Sequence, residues 1–531
     1  MPAPQPDRSS TPAPGGHPGR RQFLAGLAAA SAGGALTACG SRPVGLAGAG
    51  PRKRYGGNLV AGLTGGSGSD TLDPHQGLTY LDTARATALY EPLVQLSADA
   101  RLQYVLAEEI TPRGSLTSWV IRLRPGITFH DGRPLTAKDV IYTLRRIIAH
   151  HYSAANVLGP VDAAGIRALD LRTVLVPMSR PYASLPEQLA GILTAQILPD
   201  GFDPARHKPN GTGPFTYTSF TPGQRSVFAR NPHYWQHGLP YADTLTIIDF
   251  PDTVSLQDAL ITGQVHAAGT LEGPQMATLA NTSGVRPVAS QAGTIIPFTM
   301  RVDQAPFSDV RVRQAMRLLV DRQQLIDTAL DGYGRLASDV FSPYDPDFDH
   351  ALRRQADTPQ AKHLLKQAGH QDLTVTLVTS PIATATVAMA TVLAQQAAAA
   401  GVTIRLQQVP PGTFFGPDYL KWTFSQDFYS YASYLAQVTL SMLPSSPWDE
   451  THWADPAYIR LYAQANATSD EGLRAQIVRD MQQIDFNQGG YIIPAFIDTL
   501  DAYRREITGY APSRLGQPLG DYAFARLAFA A

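Results

Sequence analysis

Few residues of this 531-residue chain stand where chemistry would need them. The single cysteine, Cys39, can neither close an intramolecular disulfide nor build a cysteine-based metal site, so whatever it does, it does alone. His207, His233 and His237 fall in a Pro/Asn/Gly-rich stretch without the HExxH spacing that sets two imidazoles on one helical face. His130-Asp131 is followed by Gly132 and reads as a tight turn; His150-His151 reads as the surface end of a helix. No metal or cofactor is expected. No GxSxG elbow or SxxK motif offers an activated serine. Gly65, Gly66 and Gly68 form a loop that no Gly-Lys-Ser/Thr closes, which removes the support for a nucleotide. No catalytic residue is expected. What stands out is a run of rings from Phe414 to Trp453, including Tyr419, Trp422, Tyr431 and Tyr434, in a sequence that is only 9% aromatic. Rings with a polar edge can line a wet cleft for an amphipathic ligand.

The elements that would hold such a cleft come from a chain of ordinary apolar content. Hydrophobic residues make 44% and charged residues 16%, which argues for a globular protein and against a disordered chain or a coiled coil. At about 150 residues per domain, the length accommodates about three to four folding units. Lys plus Arg number 43 and Asp plus Glu 44, so the net charge of −1 supplies no global attraction to a phosphate backbone, and no nucleic-acid partner is expected. Gly at 45 positions and Pro at 42 predict many turns and disfavour a long helical bundle.

Gly57 precedes a strand over 58–63. Trp119 to Leu123 alternates as a strand, Arg124-Pro125-Gly126 turns, and 127–129 is expected to return as its hairpin partner. Thr136 with Asp139 forms a capping-box pattern ahead of Val140, Leu144, Ile147 and Ile148 at helical spacing. A second helix is expected from Ser308-Asp309, with Val312, Met316, Leu319, Ile326 and Leu330 on one stripe. Arg311, Arg313 and Arg317 lie off that stripe, on an expected solvated face. Leu373 to Thr379, the Ala-rich stretch 383–400 and Val402 to Val409 read as a βαβ unit with parallel strands. The body is α/β.

The first 54 residues read as an address. Residues 1–19 are rich in Pro, Gly, Ser and Ala; Arg20 and Arg21 then precede an uncharged run, 23–38, shorter than the roughly 20 residues of a spanning helix. Gly19-Arg20-Arg21-Gln22-Phe23-Leu24 resembles a twin-arginine export signal, although Gly19 stands where Ser or Thr is usual. Leu36-Thr37-Ala38-Cys39 resembles the lipobox of bacterial lipoproteins, which implies a signal peptide over 1–39 and a lipid on the Cys39 thiol. Residues 40–54 then read as a flexible tether.

From 56 to about 525 the chain resembles the extracellular solute-binding proteins of ABC importers, specifically the peptide/nickel-type family. The resemblance rests on GGNLVAG (56–62), TLDPH (71–75), LYEPLVQL (89–96), SWVIRLRPGITFHDGRPLTAKDVIYTLRRI (118–147), GTGPF (211–215), RNPHYW (230–235), FSDVRVRQAMRLLVDRQQLI (307–326) and AKHLLKQAG (361–369), in that order. It implies a two-lobe, type II periplasmic-binding-protein-like α/β fold with an extra domain inserted in the first lobe. By analogy lobe I is 55–88, 212–296 and 492–531, the insertion is 89–211 and lobe II is 297–491. It further implies capture of an oligopeptide or peptide-like solute by hinge closure, without catalysis or cofactor, and delivery to ABC permease and ATPase subunits. The protein would be a monomer, held by lipidated Cys39 on the outer face of the cytoplasmic membrane. An alternative within the same shape is a sensory receptor that signals occupancy to a membrane partner other than a permease.

The same resemblance assigns ligand contacts. The segment after TLDPH points to Leu78, Thr79 and Tyr80, and the stretch 427–436 with the returning strand points to Tyr431, Ser433, Tyr434 and Phe496. Peptide-binding relatives grip an α-amino group with an aspartate, for which the ungapped placement here offers Leu435 or Ala436. Either the solute lacks a free amine, or another carboxylate such as Asp427 or Asp498 substitutes.

Overall fold

The computed structural model describes residues 53–77 and 79–531. Arg20, Arg21, Cys39 and Leu78 lie outside the described residues.

The largest sheet has eight strands and is drawn from distant parts of the chain. Asn58–Thr64 lies at its centre, parallel to Thr244–Phe250 on one side and to Ala267–Ala268 on the other. Val285–Thr294 and Ala495–Arg504 extend it antiparallel. Helix Thr253–Thr262 lies so close to this sheet that a Cβ on Gly62 would come within 2.5 Å of Leu256. A strand interior therefore carries glycine because a second element presses against it.

Residues between the first and second parts of that sheet form a separate four-stranded antiparallel sheet with its own apolar cluster. Ser118–Leu123 is a strand as expected, but its partners are Ala107–Arg113 and Thr173–Pro177, not 127–129. The turn at Gly126 forms, with φ of +76°. Both edges of the strand are already occupied by other neighbours, so Ile127 and Phe129 pack into the cluster instead. Helix Ala137–Ala149 buries Val140, Leu144 and Ile147, and the Asp139 carboxylate accepts from the Thr136 amide at 2.7 Å and hydroxyl at 2.8 Å.

The remaining third of the chain contains the expected βαβ unit, with Thr374–Thr379 parallel to Thr403–Gln408 and helix Thr386–Ala398 between them. Beside it, Phe298–Met300 pairs on one edge with Phe424–Gln426 and on the other with Tyr491–Ile492. The expected single helix after Ser308 is two helices, Val310–Leu318 and Arg322–Ala329. Its arginines correct the expectation of a solvated face: only Arg311 is exposed, while Arg313 and Arg317 are buried. Arg317 donates to the carbonyls of Phe486 and Tyr491, and Arg313 to that of Gln488. These are orphan carbonyls at the end of helix Glu471–Gln488 and just beyond it, where a cation is favoured by both hydrogen bonding and the helix dipole.

A buried ionic knot fixes this region. Asp339, 0% exposed, accepts from Arg322 at 2.8 Å, pairs with Arg354 at 2.5 Å and receives the Ile493 amide at 3.0 Å. Removing the anion leaves two guanidinium groups uncompensated inside the protein. Asp339→Ala is expected to cost about 3–5 kcal/mol, read from denaturant midpoints; an unchanged midpoint would remove the knot from the account of stability.

Candidate functional site

The chain leaves the large sheet after Thr294 and returns to it finally before Ala495, touching it once between through Gly334–Leu336, which pairs with 495–497. At the departure Ile295 and Tyr429 exchange both backbone hydrogen bonds at 2.9 Å. The pairing continues into a seam: the Tyr431 amide donates to Leu515 carbonyl at 3.0 Å, and the Gly293 amide donates to Arg514 carbonyl at 2.9 Å. Gln517 Nε2 donates to Ser430 Oγ at 2.8 Å, and Tyr522 in turn donates to Gln517 Oε1 at 3.0 Å. Segments from both sides thus meet largely through their backbones. Two glycines make that approach possible. A Cβ on Gly293 would lie 2.6 Å from the Tyr431 ring, and one on Gly516, whose φ is +89°, would lie 2.0 Å from Thr294 Oγ1.

Of the residues expected to touch ligand, Tyr431 lies in this seam, 6% exposed, with its ring against Gly293 and edge-on to Tyr344 at 5.8 Å. Ser433 is the N-cap of helix Tyr434–Ser441, and its Oγ has no partner among the described residues. Tyr434 differs from its expected cleft-facing role: it is 0% exposed, stacked on Phe341 at 4.8 Å and hydrogen-bonded to the Tyr458 hydroxyl at 3.1 Å. It starts a helix whose first turn is buried on every side. Phe496 joins the same apolar cluster. Thr79 caps helix Tyr80–Leu89, its hydroxyl oxygen accepting from the Asp82 amide at 3.0 Å. Tyr80 packs at the edge of the cluster that also holds Tyr522, and so adjoins the seam through Gln517. The TLDPH motif sets this loop, because Arg146 holds Asp73 at 2.6 Å.

The position of the expected amine-gripping acid is filled by Leu435 and Ala436, and helix Leu185–Ala190 packs over them. Gln188 Nε2 donates to the Leu435 carbonyl at 3.1 Å, and a Cβ on Gly191 would be 3.4 Å from that of Ala436. Asp427 is engaged elsewhere: it accepts from Tyr419 at 2.7 Å and from the Phe428 amide at 2.7 Å, and adjoins Glu450. Glu450 accepts from the Tyr429 and Tyr491 hydroxyls. Burial, reinforced by the neighbouring Asp427, holds the Glu450 carboxyl well above the usual range, and burial also raises Asp427. Asp498 is pushed up to about 6 by burial, with Arg335 4.0 Å away opposing the shift.

Sequence reasoning passed over Arg335, Tyr344 and the 514–517 segment. Tyr344 donates to the Gln291 carbonyl at 2.6 Å, and Arg335 to that of Ala292. Gly516 between Leu515 and Gln517 was the one available signal, since a glycine in a polar loop marks a close approach or a positive φ.

The profile of the family described as bacterial extracellular solute-binding proteins, family 5 Middle, matches residues 101–453. The glutathione-binding protein GsiB of Salmonella typhi is 30% identical over 314 residues, covering 58% of this chain and 61% of that protein. GsiB of Escherichia coli O157:H7 is 29% identical over 57% of this chain and 60% of its own length. The chain therefore spans about three fifths of the curated relatives it matches. Among solved structures, the Agrobacterium binding protein AgaA in complex with agropinic acid superposes with a TM-score of 0.78 at 21% identity, over 89% of this chain and 99% of that one. DppA of Helicobacter pylori in complex with the peptide STSA gives 0.77 at 19% identity, over 90% and 99%. The fold is that of the two-lobe, type II periplasmic binding proteins.

Two outcomes follow from the seam and its acids. A carboxyl raised on folding stabilises the protein below its unfolded pKa, and that stability is lost as pH climbs through the folded value. Glu450 and Asp427 are both raised, and Glu91 is pushed up to about 7 by burial, so the melting temperature should fall as pH rises from ~5 to ~8. Glu450→Gln, which mimics the protonated acid, should flatten that fall; a parallel curve would remove Glu450 from it. Gly516→Ala should cost about 1–3 kcal/mol from backbone strain plus its clash with Thr294. Gly284→Ala, at φ +79° with nothing within 4 Å of its Cβ, reports the strain alone in thermal denaturation.

Proposed function

This chain belongs to family 5 of the bacterial extracellular solute-binding proteins, and from that premise we propose that it captures a peptide or peptide-like solute between its two lobes and presents it to an ABC permease. The observation that carries this reading is the seam, where Tyr431 and Ser430 meet Leu515 and Gln517 through hydrogen bonds that separate cleanly if the lobes part. Opening breaks backbone and amide contacts and parts Tyr431 from Leu515, while the clusters around Phe298 and around Leu59 stay whole. A solute lying there replaces those partners, and its affinity for the shut form over the open one sets how far it shifts the equilibrium. Recognition is then the output, with no bond made or broken.

Backbone groups of residues 293, 431 and 515 recognise the main chain of a peptide irrespective of its side chains. Tyr431 and Ser433 supply a ring face and a hydroxyl, and Thr79 and Tyr80 close the opposite side. Residues 55–88, 212–296 and 492–531 would move as lobe I with 89–211 attached, and 297–491 as lobe II. Arg20 and Arg21 would direct twin-arginine export, and Cys39 would carry the lipid that holds a monomeric receptor outside the cytoplasmic membrane.

Mass spectrometry of small molecules released from natively exported protein should yield a peptide or an amide-bearing solute in near-stoichiometric amount. A compound without any peptide-like group would overturn the solute class. Cys39→Ala should move the protein from the membrane pellet to the soluble extracytoplasmic fraction; continued sedimentation with membranes would remove the lipid anchor from the account.

A further inference from the structure

At the edge of the seam two cations share one ring. The guanidinium carbon of Arg514 lies 4.5 Å from the centre of Tyr344, and that of Arg335 lies 5.2 Å from it. Like charges gathered on one tyrosine repel each other, and the local anions do little to relieve them. Arg335 donates to the Ala292 carbonyl, but its Nε has no hydrogen-bond partner, and the Asp498 oxygen it faces is 4.0 Å away. That separation is too long for a hydrogen bond. The Arg514 side chain has neither an ion pair nor a hydrogen bond among the described residues, although its backbone is pinned at both ends, to Ala98 and to Gly293. Each guanidinium offers five donors in a planar fork; Arg514 is exposed and Arg335 half-buried, so donors without a protein acceptor are open to an incoming anion.

We propose that Arg335 and Arg514 form an oxyanion subsite that receives a carboxylate of the captured solute, with Tyr344 holding both guanidinium groups in place. This rests on the reading of the seam as the capture site, and it adds the charge class of what is captured. The two arginines belong to different segments. Arg335 pairs along Ala495–Arg504 opposite Phe496, whereas Arg514 lies on the loop that donates its carbonyl to Gly293. Both segments meet one strand, Arg335 at the Ala292 carbonyl and Arg514 at the Gly293 amide, which sets the two guanidinium groups side by side. Bidentate contacts between arginine and carboxylate are the strong, geometry-selective case of a charge-assisted hydrogen bond.

The test is titration calorimetry of the full-length protein with a mixed tripeptide library as free acids and the same library as C-terminal amides, with inorganic phosphate as a third arm. Free acids should bind at least about tenfold more tightly than amides, and phosphate should give no heat. Arg335→Gln with Arg514→Gln should abolish the acid preference, and the double Lys variant should keep part of it. Amides that bind as well as acids overturn this subsite and leave capture standing. Heat from phosphate stronger than that from the acids overturns the carboxylate assignment. Binding by neither library overturns peptide capture and this subsite together.

Discussion

A pair of buried carboxyl groups governs the geometry on which the seam depends. Glu450 accepts from Tyr429, the partner of Ile295 where the chain leaves the large sheet, and from Tyr491, shortly before its final return. Asp427 adjoins it and is steadied by Tyr419. Burial raises both carboxyls, and each disfavours ionisation of the other, so the pair resists carrying two charges in this apolar interior. That pair ties together the first departure of the chain from the large sheet and its last return to it. Asp339 does the same from the other side, receiving the Ile493 amide while holding Arg322 and Arg354. Both points are therefore braced within one half of the molecule, and any relative motion must be taken up in the few residues beyond them.

That division explains why the seam is built as it is. Inside each half the contacts are apolar and extensive, whereas across the seam backbone hydrogen bonds, one glutamine, the Tyr344 and Arg335 contacts to residues 291 and 292, and the packing of Tyr431 with Leu515 make the join. A backbone hydrogen bond exchanged for one to water contributes only about 0.5–1.5 kcal/mol net, so parting the seam is cheap beside unfolding either side. The four-stranded sheet's segment complicates a simple picture of two bodies, because Gln188 and Ser184 also reach Leu435 and Asn466. Its helix over 185–190 follows whichever side it grips more strongly, and it covers Leu435 and Ala436.

Much of the scaffold was legible in the residues because local periodicity and tertiary role agree there. The βαβ unit and the capped helix at 137–149 have clear strand and helix patterns and bury the faces those patterns expose. Disagreement arose where a local pattern has a nonlocal owner. Arg313 and Arg317 have the spacing of a wet helix face, yet they cap carbonyls at the end of a helix more than 160 residues away along the chain. Strand 118–123 has a turn and an apolar run after it, but its edges are claimed by segments that no local signal pairs with it. Tyr434 lies in an aromatic run, and such a run does not say which ring faces a cleft; stacking on Phe341 decides it. Arg335 and Tyr344 carry no motif at all, because their meaning arises only where three segments converge.

The absence of an acid at Leu435 and Ala436 bears on how charge is recognised. In a seam lined by main-chain groups, orientation of a peptide requires at least one end to be distinguished, since amide and carbonyl alternate in either direction. With Gln188 occupying the Leu435 carbonyl and Asp427 locked to Tyr419, neither supplies a free anion for an ammonium terminus. Among the described residues near the seam, Ser433 Oγ, Thr294 Oγ1 and Arg335 Nε lack partners, and the Arg335 and Arg514 guanidiniums lie against Tyr344, which meets Tyr431 edge-on. Polarity would then be read from the carboxylate end, and the solute's other end would be free to vary in length or chemistry. A receptor arranged in that way discriminates by what it holds at one terminus, while the backbone pairing supplies affinity common to many sequences.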